Sequence, residues 1–267
     1  MKCSKRRVRS TGLSLRGCVA LLAILHLPSS ILCATAQTGT LTYPLKDNVD
    51  LREGTIECWI QFGFETSEFL PVKDFRTLAS LFDFNSEKGS MGASYFVGSI
   101  FGVDKGGWYF RPGPKPMLLP IGAAMIWKKG EWHHLAFTWQ EKMMRLYVDG
   151  KDAGFRDQQS SLRDAFEVVT NQDIRFGDRW NVAARFGLDD IRVSTIARQP
   201  EELGFAVGEL KPDPYTSLLD PFECDFVPDG KQLTKPRVIM VGSGGKPSAP
   251  CVFVEGKFGK GLSFYKP

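Results

Sequence analysis

The sequence predicts an all-β protein built as a two-sheet antiparallel sandwich. Apolar and polar side chains alternate over 132–139 and again over 144–148, which is the two-residue period of a strand with one buried face. The second run ends in Asp149-Gly150, a pair that readily takes the positive φ angles of a tight hairpin, so 151–155 is predicted to fold back as a further strand. The chain is also rich in turn residues, with 27 glycines and 16 prolines, and helical periodicity is scarce.

Residues 1–36 are predicted to be a secretory signal peptide and not part of the fold. The segment carries six basic and no acidic residues, contains a ten-residue apolar run over 18–27, and ends in small residues at a cleavage position, Ala34-Thr35-Ala36. That apolar run is half of the roughly 20 residues that a membrane-spanning helix needs. We therefore expect an exported protein without a membrane span, located in the medium, in the periplasm or at the cell surface.

Removal of this leader reverses the sign of the net charge. The full chain has 34 Lys and Arg against 30 Asp and Glu, and six of the bases but none of the acids lie in 1–36, so 28 bases face 30 acids in the remainder. A slightly acidic chain lacks the excess of basic residues that binding to a phosphate backbone requires. The composition therefore excludes nucleic acid as an expected partner.

The remaining chain is predicted to form one large sandwich and a displaced final segment. Besides the central hairpin, strands are predicted over 41–45, 54–62, 76–84, 94–103, 107–111, 174–177 and 186–194. Pro200 and the acids that follow it favour a short helical turn. The predicted boundaries are 37–205 for the main part of the sandwich, 206–216 for a Gly-, Pro- and charge-rich linker, and 217–267 for the final segment.

Three stretches of the sequence, which contain four of the predicted strands, match a known family pattern. The stretches "GEWHHLAFTW…RLYVDG", "GTIECWIQF" and "FGLDDIRVS" together resemble the laminin-G-like, concanavalin A-like lectin/glucanase domains found in many secreted bacterial proteins. In the last stretch, Asp189, Asp190 and Arg192 take the two acidic positions and the basic position of the family pattern. The resemblance covers most of 40–204 and implies a jelly-roll sandwich, a scaffold that serves many different functions.

The order of the motifs in the final segment is unusual. The stretches "LLDPFECDF" at 218–226 and "EGKFGKGLSF" at 255–264 resemble strands that open such a domain, yet here they follow its closing motif. Three explanations are open: a circular permutation in which the segment completes the same sandwich, a truncated second copy, and a swapped dimer in which each tail completes the neighbouring chain. We favour completion within one chain, because a free half-domain would expose strand edges that promote aggregation.

Three cysteines follow the leader, namely Cys58, Cys224 and Cys251. Cys58 shares the apolar face of its strand and is predicted to be a small buried residue. Export permits disulfides, and if a bridge forms, Cys224–Cys251 is favoured because the same C-terminal segment carries both. The odd count leaves at least one thiol unpaired or paired between chains.

The sequence contains no recognisable catalytic motif. A laminarinase-type glycosidase needs two carboxylates that flank the scissile bond, whereas the neighbours Asp189 and Asp190 point to opposite faces of a strand. Asp189 is predicted to bond the adjoining turn and Asp190 to be solvated. His133 and His134 also point to opposite faces, and His133 is predicted to be a satisfied, partly buried histidine. We expect a protein that is not an enzyme, with a degenerate glycoside hydrolase as the alternative.

The predicted function is a non-catalytic module that binds extracellular carbohydrate or a cell-surface protein, with a structural fragment of a larger array as a further alternative. Sugars are recognised by exposed aromatic rings beside planar polar groups. Two local clusters of this kind are Trp108, Tyr109 and Arg111, and Arg179 and Trp180. A competing interpretation places Trp108 and Trp180 in the core. The scaffold tryptophans of the strand patterns are predicted to be Trp59, Trp132 and Trp139.

No cofactor is predicted, and calcium stays an open alternative. The resemblance implies this alternative, because sandwiches of this family often hold Ca²⁺ at a rim through carboxylate and carbonyl oxygens. The candidate donors are Asp83, Asp173, Asp178 and Asp189, which form no metal-loop motif.

Overall fold

The protein is an antiparallel β-sandwich with very little helix. Its structure is a computed structural model that describes residues 40–69, 76–86, 89–97, 99–100, 103–104, 106–111, 125–157, 172–177, 185–223, 237–239 and 252–265. The predicted fold class, two antiparallel sheets with a shared apolar core, is confirmed.

The first sheet has six strands within the described residues. In spatial order they are β14 (Arg237–Ile239), β1 (Thr40–Pro44), β11 (Asp173–Gly177), β3 (Arg76–Ser86), β4 (Gly89–Val97) and β7 (Gly107–Arg111). All of these pairings are antiparallel. A separate short pair consists of β5 (Ser99–Ile100) and β6 (Val103–Asp104).

The second sheet has eight strands in the same part of the chain. In spatial order they are β10 (Lys151–Asp157), β9 (Met143–Val148), β8 (Trp132–Gln140), β2 (Glu53–Phe62), β12 (Phe186–Ser194), β16 (Lys260–Ser263) and β15 (Val252–Glu255), and β13 (Thr216–Asp220) also pairs with β12. The predicted hairpin between β9 and β10 is confirmed, because Asp149 and Gly150 have φ angles of 48° and 72°.

Side-chain alternation gives the eight-stranded sheet two different faces. In β2, the core contains Cys58 and the apolar residues two positions before and after it, Ile56 and Ile60, while the intervening Glu57 and Trp59 point to the outer face. Strand β8 repeats this pattern, and its core residues are Leu135, Phe137 and Trp139. The prediction that Cys58 is a buried apolar residue is confirmed.

Strand β12 receives both of its remaining neighbours from the C-terminal segment. β16 pairs with Gly187 and Leu188, whereas β13 pairs with 191–194, so these two strands lie end to end along one edge of β12. In the other sheet β14 pairs with β1. Leu262 and Phe264 are buried in the core, and the Phe264 ring lies 5.1 Å from the ring of Phe186. Strands of the final segment thus extend both sheets within the same chain.

The connection over 206–216 packs against the sandwich through specific bonds. It follows the short helix α1 (Gly204–Val207). Leu210 is buried, and its backbone N–H donates to Asp190 Oδ2 over 3.0 Å. Further along, Asp213 Oδ1 accepts a hydrogen bond from Arg198 Nη2 at 2.8 Å. These bonds fix the connection over the outer face of the sheet.

The signal peptide predicted over 1–36 and the predicted Cys224–Cys251 bridge lie outside the described residues. Among the residues that are described, no helix has the length and apolar character needed to cross a membrane.

Candidate functional site

A groove of about 490 Å³ lies on the outer face of the eight-stranded sheet. Neighbouring strands place Trp132, Gln61, Gly187 and Ser263 in one row across its base, since these residues are register partners in turn. The hairpin of β15 and β16 borders the row on one side. The remaining lining residues are Gly130, Val254, Glu255, Gly256 and Tyr265.

Glycines leave the base of this groove bare. A Cβ built on Gly187 would lie 3.7 Å from Cη2 of Trp132, and one built on Gly261 would lie 3.5 Å from the same atom. The edge of the partly exposed Trp132 indole therefore lies against two buried glycines that place no side chain beneath it. Gly261 also faces a close backbone approach, because its Cβ would stand 2.8 Å from the carbonyl oxygen of Leu188.

The polar groups of the groove are held in fixed positions. Gln61 Nε2 donates to the carbonyl oxygen of Gly130 over 2.9 Å, which orients the amide. Ser263 Oγ donates to the carbonyl oxygen of Tyr265 over 2.6 Å and so holds the residue at the rim. Glu255 is exposed at the same rim. An aromatic ring, an oriented amide and a carboxylate thus converge on one depression.

Beyond this groove, the outer face carries a buried ionic network. Glu57 Oε1 accepts from Arg192 Nε at 2.7 Å, and Glu57 Oε2 lies 3.0 Å from His134 Nε2. All three side chains are almost fully enclosed. Burial raises the pKa of Glu57, but the hydrogen bond with His134 and the positive charge of Arg192 outweigh it and hold that pKa below its usual value.

A short cover, residues 200–207, closes over this network. Gly204 N–H donates to Glu57 Oε2 over 2.7 Å, and Arg192 Nη2 donates to the carbonyl oxygen of Glu202 over 2.7 Å. A Cβ on Gly204 would lie 2.9 Å from His134 Nε2, so the close approach of the cover requires glycine at this position. The network serves to anchor the cover and is shielded from any ligand.

Trp59 stands between the network and the groove, because it lies between Glu57 and Gln61 on the same face of β2. Its indole contacts Phe205 of the cover, with ring centroids 6.3 Å apart, and Phe258 of the C-terminal hairpin, at 5.8 Å. Lys257 Nζ lies 4.8 Å from the indole centroid, in cation–π contact. These contacts bury Trp59 as scaffold, in agreement with its predicted role.

The two neighbouring aspartates of β12 are both structural. Asp189 Oδ2 accepts from the backbone N–H groups of Lys257 and Phe258 at 2.7 and 2.9 Å, which confirms that it bonds a turn. The prediction that Asp190 is solvated is wrong: it is 1% exposed, because the 206–216 connection covers it. Burial raises the pKa of Asp189 to about 7 and that of Asp190 to about 6.

The predicted sugar-binding residues are not brought together as a surface site. Trp108 is 0% exposed and packs against Tyr95 and Trp127 in the core, so its prediction as a binding residue is wrong. Its neighbours Tyr109 and Arg111 are described only as backbone positions of β7. Arg179 and Trp180 lie outside the described residues.

The histidines and the calcium candidates also have definite positions. His133 Nδ1 lies 2.8 Å from Asp149 Oδ2 and its ring stacks on Trp127, which confirms a partly buried histidine, but its buried Nε2 has no hydrogen-bond partner within the described residues. Asp83 and Asp173 belong to the six-stranded sheet, whereas Asp189 belongs to the other sheet and bonds the hairpin. Asp178 lies outside the described residues. No group of three or more potential ligands for a metal ion occurs in the described part of the chain.

Sequence reasoning missed Trp132 and the residues that surround it. Trp132 was predicted to be scaffold because it belongs to a strand pattern, and its partial exposure depends on small residues in other strands. The signal available in the sequence was the glycine content of the neighbouring strands, with Gly187 near the start of β12 and Gly261 within β16.

The two sheets and their register define a β-sandwich of the concanavalin A-like type. A profile of the concanavalin A-like lectin/glucanases superfamily matches residues 36–204, more than half of the chain. The chain therefore belongs to this superfamily. A search among curated proteins gives no match.

Solved structures of low sequence identity are similar to parts of this chain. A heptameric SAP-like pentraxin from Limulus polyphemus is 11% identical with a TM-score of 0.39, and the match covers 69% of this chain and 87% of the pentraxin. Domain 4 of an extracellular arabinanase from Geobacillus stearothermophilus, in complex with arabinotriose, is 15% identical with a TM-score of 0.37, covering 61% of this chain and 69% of that domain. The enzymatically active domain of a bacteriophage CBA120 tailspike protein is 11% identical with a TM-score of 0.47. Here the match covers 67% of this chain but only 28% of the tailspike chain.

Proposed function

We propose that this protein is a non-catalytic binding module whose groove binds extracellular carbohydrate. The observation that supports the proposal is the indole of Trp132, which is partly exposed in the groove next to Gly187, a residue without a side chain. An aromatic face offers the apolar C–H surface of a sugar a stacking partner, and the missing side chain leaves room for the sugar ring. The groove of about 490 Å³ also falls within the range of roughly 300–1,000 Å³ that is typical of small-ligand sites.

The polar groups around Trp132 suit the same ligand. Gln61 presents an amide that is already oriented by Gly130, and Glu255 presents a carboxylate at the rim. Planar amide and carboxylate groups pair well with the adjacent hydroxyls of a sugar. Because the Gln61 amide is fixed before the ligand arrives, little side-chain freedom is lost on binding.

The proposal of a non-catalytic role rests on the acidic groups. Glycoside hydrolysis by retention requires two carboxyl groups about 5–5.5 Å apart on either side of the bond. Among the described lining residues, Glu255 is the one that carries a carboxylate. The carboxylate of the nearby Asp189 already accepts hydrogen bonds from the backbone N–H groups of Lys257 and Phe258 in the hairpin.

A glycan array tests this proposal directly. The purified protein should bind one or more glycans, and Trp132→Ala should weaken that binding by at least about tenfold because the stacking surface is lost. Tyr215→Ala is the matched control, since Tyr215 is an aromatic residue that is 50% exposed and does not line the groove. Incubation of bound oligosaccharides with the protein, with added calcium and with chelator, should release no product.

Two results would contradict the proposal. Equal losses of binding in Trp132→Ala and Tyr215→Ala would show that the groove is not the site. An array without any bound glycan, under both calcium conditions, would remove carbohydrate as the ligand class.

We propose further that the chain is exported, since its opening has the basic, apolar and small-residue regions of a signal peptide. N-terminal sequencing of the protein from a secreting host should begin at Gln37. A chain that retains Met1 and stays inside the cell would contradict export.

A further inference from the structure

We infer that the groove selects neutral sugars over sugars that carry a carboxylate, an inference that rests on the proposed function. The observation behind it is the charge of the groove. Of the described residues that line it, Glu255 is the charged one, and the others are uncharged: Gln61, Gly130, Trp132, Gly187, Val254, Gly256, Ser263 and Tyr265.

The cations near the groove do not neutralise Glu255. Lys260 is its register partner across the hairpin, but it does not line the groove, and the described residues contain no ion pair between the two. Lys257, two residues along, is turned over the indole of Trp59. On the other side of the groove, Lys128 is paired with Glu131 at 3.8 Å. Among the described residues that line the groove, the carboxylate of Glu255 is therefore the charge that a bound ligand would meet.

A carboxylate at the rim interacts differently with neutral sugars and with sugars that carry a carboxylate. It can accept hydrogen bonds from two adjacent hydroxyl groups of a neutral pyranose, and such charge-assisted bonds are stronger than neutral ones. A uronate or sialate bound on Trp132 would bring a second negative charge close to the first. Because Glu255 is exposed, solvent and salt weaken this repulsion but do not abolish it at low ionic strength.

Pairs of polysaccharides that differ only in their carboxyl groups test the inference. We suggest polygalacturonate with its methyl-esterified form and hyaluronan with its carboxyl-reduced form, measured by biolayer interferometry at low salt. In every pair that binds, the neutral member should bind at least about fivefold more tightly. Added salt should reduce this ratio, because it screens the repulsion.

Two variants test whether the ratio of affinities within a pair depends on the Glu255 side chain. Glu255→Gln keeps the shape and the acceptor oxygen but removes the charge, so the two members of a pair should bind within about twofold of each other. Glu68→Gln is the control, because Glu68 is exposed on a different part of the surface and does not line the groove. It should preserve the ratio of the unmodified protein.

The outcomes separate the inference from the proposed function. Equal or tighter binding of the carboxylated member, or an unchanged ratio in Glu255→Gln, would overturn the charge selection while carbohydrate binding stands. Absence of binding to every member of every pair would instead count against the proposed function, and the inference would fall with it.

Discussion

Strand β2 contributes to two regions on the outer face of the eight-stranded sheet, one covered and one open. Around Glu57, every charged group has a partner and residues 200–207 exclude solvent. Around Gln61, further along β2, the neighbours are a partly exposed Trp132 and a glycine, and the groove is open. The buried aromatic contacts of Trp59 separate the two regions.

This difference shows how one sheet face can serve both stability and recognition. The carboxylate of Glu57 bonds Arg192, His134 and the backbone of the cover, so the region holds the cover in place and is closed to a ligand. The region around Gln61 contains polar groups and an indole that can still form further contacts. The proposed binding site therefore lies where the chain leaves the face open.

The largest expected effect comes from removing the carboxylate of the covered region. Glu57→Ala should lower the free energy of unfolding by about 3–5 kcal/mol, because Arg192 would stay buried without its counter-charge and His134 Nε2 without its hydrogen-bond partner. Urea unfolding measures the loss, and groove binding per folded molecule should not change. The control Glu53→Ala, half-buried at the start of β2, should cost less than about 1 kcal/mol. Similar losses in both variants would contradict the proposed role of the network.

An added methyl group under the cover should have the next largest effect. Gly204→Ala places a Cβ 2.9 Å from His134 Nε2 and 3.0 Å from a methyl of Leu210. The cover must then shift, and we expect a loss of about 1–3 kcal/mol in thermal or urea unfolding. Unchanged stability would mean that residues 200–207 are less firmly seated than the hydrogen bond from Gly204 indicates.

Asp189 lies in β12 between the two regions. Its ionisation should contribute to the pH dependence of the free energy of unfolding. Its pKa is raised by burial to about 7 in the folded protein, above the value of about 3.9 expected when unfolded. The folded state therefore binds more protons between these values, and stability should fall as the pH rises from about 4 to 7. Each unit of pKa difference corresponds to about 1.4 kcal/mol.

Urea unfolding across this pH range isolates the contribution when the protein is compared with Asp189→Asn. The free energy of unfolding of the unmodified protein, minus that of Asp189→Asn, should decrease as the pH rises. A difference that increases instead would show that the backbone hydrogen bonds from Lys257 and Phe258 favour the charged carboxylate more than burial opposes it.

The smallest effect on stability, and a clear effect on binding, is expected at the base of the groove. Gly187→Ala places its methyl at ordinary contact distance, 3.7 Å from Trp132, so stability should stay equal or rise by up to about 1 kcal/mol. The same methyl occupies ligand space and should weaken glycan binding by about tenfold. Together with Gly204→Ala, this variant applies one substitution to both regions, and full binding by Gly187→Ala would place the ligand elsewhere.

The fold could be predicted from the sequence because its determinants are local. Alternation around Cys58 and Leu135 identified the buried faces of β2 and β8, and Asp149-Gly150 identified the hairpin. These patterns report which side of a strand is apolar, and that information is contained within a few residues.

The candidate site could not be predicted in the same way, because exposure depends on distant parts of the chain. Trp108 lies in a cluster with Arg111 that resembles a binding motif, yet β4 and the core enclose its ring. Trp132 reads as a scaffold residue, yet glycines contributed by β12 and β16 leave it partly exposed. Likewise, Asp190 is buried by a connection that begins well beyond β12. Sequence periodicity does not indicate which segment covers which part of a sheet.

The position of β16 beside Gly187 has a consequence for how the protein acquires its activity during synthesis. Val254, Glu255, Gly256, Ser263 and Tyr265 all line the groove, and the ribosome produces them after the other strands of the sandwich. A nascent chain interrupted before this hairpin would present an incomplete edge at β12 and an incomplete groove. Under the proposed function, binding would therefore report that the sheet has been completed, and affinity for the ligand would separate finished molecules from truncated ones.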